Sequence, residues 1–374
     1  MGSSCHCESV KSRTWHSRLF VAAVLGGWGA VAGCDASDPP GDLGGVDASA
    51  GGADRDASPP DGRPDAGAPV ADAGRTPAGD PADPGAYAVH VADDVAIPVG
   101  GGTATATICS PSDDGGGHPA AGRFPLVILS PGFQLPRDQY ASACRHLASW
   151  GFVVVLQDYA GDGGILSPPN HQQLAEDVGD VIDWVLDASD GLAARVDAAH
   201  IATVGHSLGG KVSILAAILD DRVGATVGWD PVDATPPIDN GSPSVTPERM
   251  DELTVPIAVL GETLDATGGF SPCAPAEDNY VQYFEHACAA PVALEITIDG
   301  ADHMDWVDDR AGCGFTCSVC RTGTADDAHT RAITRRATTA FLLAHLMGAG
   351  GYESFLAPPQ LGEGASVRAG PACP

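Results

Sequence analysis

The chain has 374 residues; Asp and Glu number 49 against 19 Lys and Arg, for a formal net charge of −30 at pH 7. Lysine is nearly absent, at Lys11 and Lys211 alone. So acidic a surface argues against nucleic acid or anionic lipid head groups as partners and says nothing about the fold.

At the N-terminus Lys11, Arg13 and Arg18 precede an apolar run, Leu19 to Ala32, too short to span a bilayer. It closes on Val31-Ala32-Gly33-Cys34, a cysteine directly after small residues, which resembles the lipobox of bacterial lipoproteins. The expectation is a signal peptide over residues 1–33 and a lipidated Cys34 anchoring the protein in a bacterial cell envelope. An ordinary signal cut nearby, with Cys34 incidental, is the alternative. Residues 34–85 are dominated by Ala, Gly, Asp and Pro and hold too little apolar surface to offset ordering entropy. They read as a disordered tether with a reach of about 40 Å. Residues 86–374 are the expected folded unit, a size that suits one large α/β domain.

Tyr87–Val95 and Thr103–Ser110 alternate and predict two opening strands. Phe124–Ser130 predicts a buried strand, followed at once by Pro131-Gly132-Phe133. A helix over Arg137–Trp150 stops at Gly151, and Phe152–Asp158 is the next buried strand. His171–Asp187 has apolar residues at helical spacing, at Leu174, Val178, Ile182 and Val185. Strands follow at His200–Val204, Ala225–Trp229, Pro256–Gly261 and Ala293–Ile298. The helices among them are Lys211–Asp220, Tyr280–Ala287 and a closing one from about Ala325 to Met347. Alternation of β and α with continuous apolar strands implies a doubly wound, mostly parallel sheet. Between Trp229 and Pro256 lie five prolines and no long apolar helix, which leaves no room for a large cap.

The chain is organised around Gly205-His206-Ser207-Leu208-Gly209-Gly210, of the form G-x-S-x-G. Between an apolar strand and an apolar helix, this is the sequence of a nucleophile elbow, where a serine sits on a sharp, strained turn that only small neighbours permit. A glycine-rich turn without chemistry is the bland alternative. A serine hydroxyl needs a base, and the base needs an acid to orient it. His206 is the variable residue of the elbow and reads as local packing. Beyond Ser207, His286, His329 and His345 fall in predicted helices, which leaves His303, in a loop just past a core strand. For the acid, Asp230 and Asp265 both follow strand ends, and position alone does not choose. The N–H groups of Leu208 and Phe133 are the candidate oxyanion donors.

After Cys34, eight cysteines remain: Cys109, Cys144, Cys273, Cys288, Cys313, Cys317, Cys320 and Cys373. An even number in an exported chain favours disulfides. The Cys313, Cys317, Cys320 cluster lacks a completing pair for zinc, so the expectation is no metal and no cofactor.

Four stretches together resemble the chlorophyllase family: Gly205 to Lys211 (GHSLGGK), Asp230-Pro231-Val232-Asp233, Pro272-Cys273-Ala274-Pro275, and Asp302-His303-Met304-Asp305 with Asp308-Asp309. The tail from Arg335-Arg336 to Tyr352-Glu353-Ser354-Phe355-Leu356 is similar to bacterial polyester hydrolases and cutinase-like lipases. The first resemblance implies an α/β-hydrolase with Ser207 as nucleophile, Asp230 as acid and His303 as base. It also favours Asp230 over Asp265. The elbow departs from plant members, which usually carry arginine at the position of Leu208, so the chemistry carries over better than the substrate. The reading is a monomeric, membrane-tethered serine esterase with an open cleft for short or medium acyl esters or exposed polymer esters. A dienelactone-hydrolase-like or acetylhydrolase activity is the enzymatic alternative, and a surface binding module that lost its chemistry is the other.

Overall fold

The structure, a computed structural model, describes residues 79–161, 167–233, 240–264, 273–313, 317–370 and 373. The chain divides at Gly67/Ala68, and every described residue lies on the C-terminal side. The strands are β1 (Ala88–Val99), β2 (Gly102–Ser112), β3 (Phe124–Ser130), β4 (Val153–Gln157), β5 (Val196–His206), β6 (Val223–Trp229), β7 (Ile257–Glu262), β8 (Ala293–Ile298) and β9 (Ala365–Ala369). They form one sheet in the order β1-β2-β4-β3-β5-β6-β7-β8-β9. The block from β4 to β8 is parallel, and β1, β2 and β9 run antiparallel at its two edges.

β3 and β4 are buried at every residue, as strands covered on both faces must be. Among the described residues the sheet is covered by α1 (Ala141–Ser149), α2 (His171–Asp187), α3 (Leu208–Leu219), α4 (Tyr280–Glu285) and α5 (Asp327–Phe341). On one face Leu147 of α1 and Phe341 of α5 join a core with Val154 and Leu260. On the other, Val178 and Ile182 of α2, Leu215 of α3 and Tyr283 of α4 pack on Leu126 and Val259. This is the doubly wound α/β sheet that the apolar patterning implies. α2 keeps its expected bounds, because the Asn170 side chain caps it by accepting from the N–H groups of Gln172 and Gln173.

The helix expected over Arg137–Trp150 is instead a 3₁₀ turn, Arg137–Tyr140, leading into α1, and it ends at Gly151 with φ +93°. The closing helix begins at Asp327 behind an Asp326 cap and finishes in a π turn, Leu342–Leu346. β9 was not among the predicted elements. Residues 79–85, expected as the end of the tether, are held by side chains of the domain. Arg336 pairs with Asp80, His146 donates to the Pro81 carbonyl, and Trp150 Nε1–H donates to the Asp83 carbonyl. Among the described residues between β6 and β7 the only helical element is a 3₁₀ turn, Met250–Glu252. The eight cysteines pair as Cys109–Cys144, Cys273–Cys320, Cys288–Cys373 and Cys313–Cys317, which leaves no thiolate for zinc among them. Among the described residues no helix is long and apolar enough to cross a membrane.

Candidate active site

Ser207 sits between β5 and α3 with φ +56° and ψ −121°, a backbone state that side chains rarely adopt. Its neighbours explain how it is held. A Cβ on Gly205 would lie 2.2 Å from the Gly209 carbonyl oxygen, and one on Gly209 would lie 2.2 Å from that of Ser130. A Cβ on Gly210 would meet Pro231 at 2.8 Å. Three glycines thus allow strand, helix and the β6 end to close on the serine. The main chain adds two ties: Ser207 N–H donates to the Trp229 carbonyl, and Val232 N–H donates to that of Ser207.

His303 lies beyond β8, and its Nε2 is 2.9 Å from Ser207 Oγ. Its Nδ1 is 2.6 Å from Asp230 Oδ2, beyond the end of β6. Asp230 is fully buried, with φ +43°, and its N–H donates to the Leu260 carbonyl. A carboxylate only accepts, so Nδ1 carries the ring proton and Nε2 is left to accept from the serine hydroxyl. Asp230, His303 and Ser207 therefore form one line of hydrogen bonds at the C-terminal ends of parallel strands, where such sheets keep their sites. Asp265 and Cys34 lie outside the described residues.

Leu208 opens α3, so its N–H has no acceptor inside the helix and is available at the serine. Phe133 follows Pro131 and Gly132 on the loop after β3. Tyr159 Oη–H donates to the Pro131 carbonyl at 2.9 Å, and Gly132 N–H donates to Tyr140 Oη at 3.1 Å, which pins that loop from two sides.

The loop that carries the histidine is braced by charge. Asp302 accepts from the N–H groups of Met304 and Gly323, and Asp305 accepts from the N–H of Asp302 and the hydroxyl of Thr330. Arg310 bonds both carboxylates through Nη2. Burial and the charge of Asp302 push Asp305 up to about 7, since one guanidinium shared by two acids neutralises only one of them. Further along, Ser142 donates its N–H and hydroxyl to Asp308, and Gln139 accepts the N–H groups of Asp308 and Asp309. Sequence reasoning passed over Arg310, which is near its partners but carries no motif, and over Tyr140 and Gln139, which lie far along the chain from His206 and Asp309.

Three of the stretches that carry the family likeness supply the triad, with Ser207 from GHSLGGK, Asp230 from DPVD and His303 from Asp302-His303-Met304-Asp305, and the wider comparison agrees. A family model described as Chlorophyllase matches residues 110–357. The chain belongs to the chlorophyllase family. Among curated relatives, Chlorophyllase-1 of Arabidopsis thaliana is 30% identical over 253 residues, 61% of this chain and 74% of that protein. Chlorophyllase-2 of the same plant is 28% identical over 203 residues, 50% of this chain and 62% of its own length. Polyketide transferase grgF of Penicillium sp. is 32% identical over 126 residues, 31% of this chain and 40% of that protein.

Two of the family stretches meet away from the serine. Lys211, from GHSLGGK, is fully buried, and its Nζ lies 2.9 Å from Asp233 Oδ1, the last residue of DPVD. Burial lowers the Lys211 pKa, and the Asp233 carboxylate opposes that shift. Asp233 also accepts from the N–H groups of Val245 and Thr246 and from the Ser244 hydroxyl, so the pair ties α3 to the chain beyond β6. A lysine inside an apolar helix, in a chain with only two, was the available sequence signal.

Proposed function

We propose that this chlorophyllase-family ester hydrolase is a serine carboxylesterase that works through an acyl-enzyme. The observation that carries the reading is the unbroken line from Asp230 through His303 to Ser207. Ser207 Oγ attacks the ester carbonyl carbon while its proton passes to His303 Nε2. The N–H groups of Leu208 and Phe133 receive the oxyanion of the tetrahedral intermediate. As that intermediate collapses, the carbon–oxygen bond to the alcohol breaks and His303 returns the proton to the leaving oxygen. Water then attacks the acyl carbon by the same route and frees Ser207. Asp230 holds the imidazole in its productive tautomer and stabilises the imidazolium that forms.

The substrates proposed are short or medium acyl esters or exposed polymer esters, and the protein is proposed to work as a monomer. The site is proposed to be carried outside the cell membrane on the residue 34–78 tether, anchored through a lipidated Cys34.

A fluorophosphonate probe tests the nucleophile. The folded protein takes up one equivalent, and Ser207→Ala takes up none; an unlabelled wild type, or labelling that survives the substitution, overturns the reading. p-Nitrophenyl esters of graded length then define the acyl range. Cys34→Ser moves the protein from the membrane to the soluble fraction, and retention on membranes after signal cleavage rejects the anchor.

A further inference from the structure

His206, within the elbow, is completely buried, and each of its ring nitrogens has a partner. Nε2 is 2.8 Å from the main-chain carbonyl oxygen of His303, and Nδ1 is 2.7 Å from Tyr140 Oη. A carbonyl only accepts, so Nε2 carries the proton. Burial and the neighbouring His303 keep the ring neutral, so Nδ1 is bare and must accept from the tyrosine hydroxyl. That hydroxyl in turn accepts from Gly132 N–H at 3.1 Å. The chain of bonds therefore has one polarity: Gly132 N–H to Tyr140, Tyr140 O–H to His206, His206 N–H to the His303 carbonyl. It begins on the loop of the Phe133 donor and ends on the main chain of the base.

We propose that His206, together with Tyr140, is a positioning residue that holds the oxyanion loop and the base-bearing residue in register with Ser207; this rests on the serine-esterase reading above. Three further features support a polar role over mere filling. A Cβ on Gly132 would lie 3.2 Å from both His206 Nδ1 and Tyr140 Oη, so this loop residue is fitted closely to the pair. The His206 ring lies 4.8 Å from that of His303 and stacks on Trp306 at 5.8 Å, which fixes its plane. A buried polar ring is also a costly filler, because any unmade hydrogen bond there is a penalty that an apolar side chain avoids.

The test uses the full-length protein with an activated ester and the fluorophosphonate probe. Tyr140→Phe removes one oxygen atom and should lower kcat about tenfold with KM within about twofold. His206→Phe should lower kcat on the order of a hundredfold, and His206→Gln, whose amide can still donate to the His303 carbonyl, should recover about half of that loss on a logarithmic scale. Adding Tyr140→Phe to His206→Phe should cost less than about threefold more, because both act through one chain of bonds. Nitrogen-15 histidine spectra should show His206 as the Nε2–H tautomer. The proposal fails if folded Tyr140→Phe and His206→Phe both keep kcat within about threefold of wild type. It also fails if the two losses multiply independently, if Gln recovers nothing, or if the spectra show an Nδ1–H ring. A wild type that resists the probe would remove the esterase reading and this inference with it, whereas a reactive wild type with indifferent variants removes only the inference.

Discussion

The turn that carries Ser207 and the loop that carries His303 reach the same point by different physics. The turn is built by exclusion: Gly205, Gly209 and Gly210 leave no volume for a side chain, and neighbouring main chain closes in. The loop is built by attraction: Asp302, Asp305 and Asp308 gather main-chain N–H groups, Arg310 and Ser142 from several elements. Steric exclusion is local and indifferent to pH or salt, whereas a charge network depends on protonation and on residues far along the chain. One half of the site should therefore be brittle to added volume and the other to altered charge.

The largest expected effect falls where the two halves join. Asp230→Asn should lower kcat by about ten-thousand-fold, near 5.5 kcal/mol of barrier, because the amide supports the wrong imidazole tautomer. Asp265→Asn should leave kcat within about tenfold on the same ester, and the reverse ranking would move the acid to Asp265. On the turn side, Lys211→Met strands the Asp233 carboxylate in the interior and should cost about 3–5 kcal/mol of stability in urea unfolding. A loss under about 1 kcal/mol would mean that water reaches the pair.

Acid should act next, through His171 at the start of α2 rather than through the turn itself. Burial, then the charge of Lys211, lowers His171 to about 3, and among the described residues its Nδ1 has no hydrogen-bond partner. The unfolded chain takes up this proton below about pH 6.5 and the folded one does not. Stability is therefore full above about pH 6.5 and falls, by a few kcal/mol, as pH drops toward 3. His171→Gln should flatten that limb of a stability–pH curve; an unchanged slope would assign it to other groups. The smallest effect sharpens the loop side. Arg310→Gln should lower kcat/KM about tenfold, and more at pH 8 than at pH 6, because Asp302 and Asp305 then face each other with no shared cation, and a proton on Asp305, which low pH favours, relieves the repulsion. Equal losses at both pH values would leave Arg310 a packing residue.

The same contrast separates what could be read from the sequence from what could not. β3, α2 and β8 match their predicted bounds to the residue, since apolar runs and an Asn cap are written in consecutive positions. The elbow was legible for the same reason. His303 emerged from its place after a strand; Asp230 was one of two candidates by position, and only the family likeness preferred it to Asp265. What remained hidden joins distant positions: Tyr140 to His206 across 66 residues, Ser142 to Asp308 across 166, and the disulfide pairing. β9 escaped because Ala-Ser-Val-Arg-Ala is short, and its pairing with β8 rather than its own hydrophobicity makes it a strand.

That strand has a consequence for how the protein is made. β8 ends at Ile298, and its outer neighbour does not begin until Ala365. Until β9 docks, β8 presents an unpaired row of N–H and carbonyl groups, the kind of edge on which chains aggregate. Arg368 covers this edge once it arrives, bonding Glu295 on β8 and lying 4.8 Å above the Phe284 ring, while the Cys288–Cys373 bridge fastens the tail behind it. A chain cut short before residue 365 would carry a complete Ser207–His303–Asp230 line and still be sticky. Its yield in soluble form, more than its turnover per molecule, is what the last strand governs.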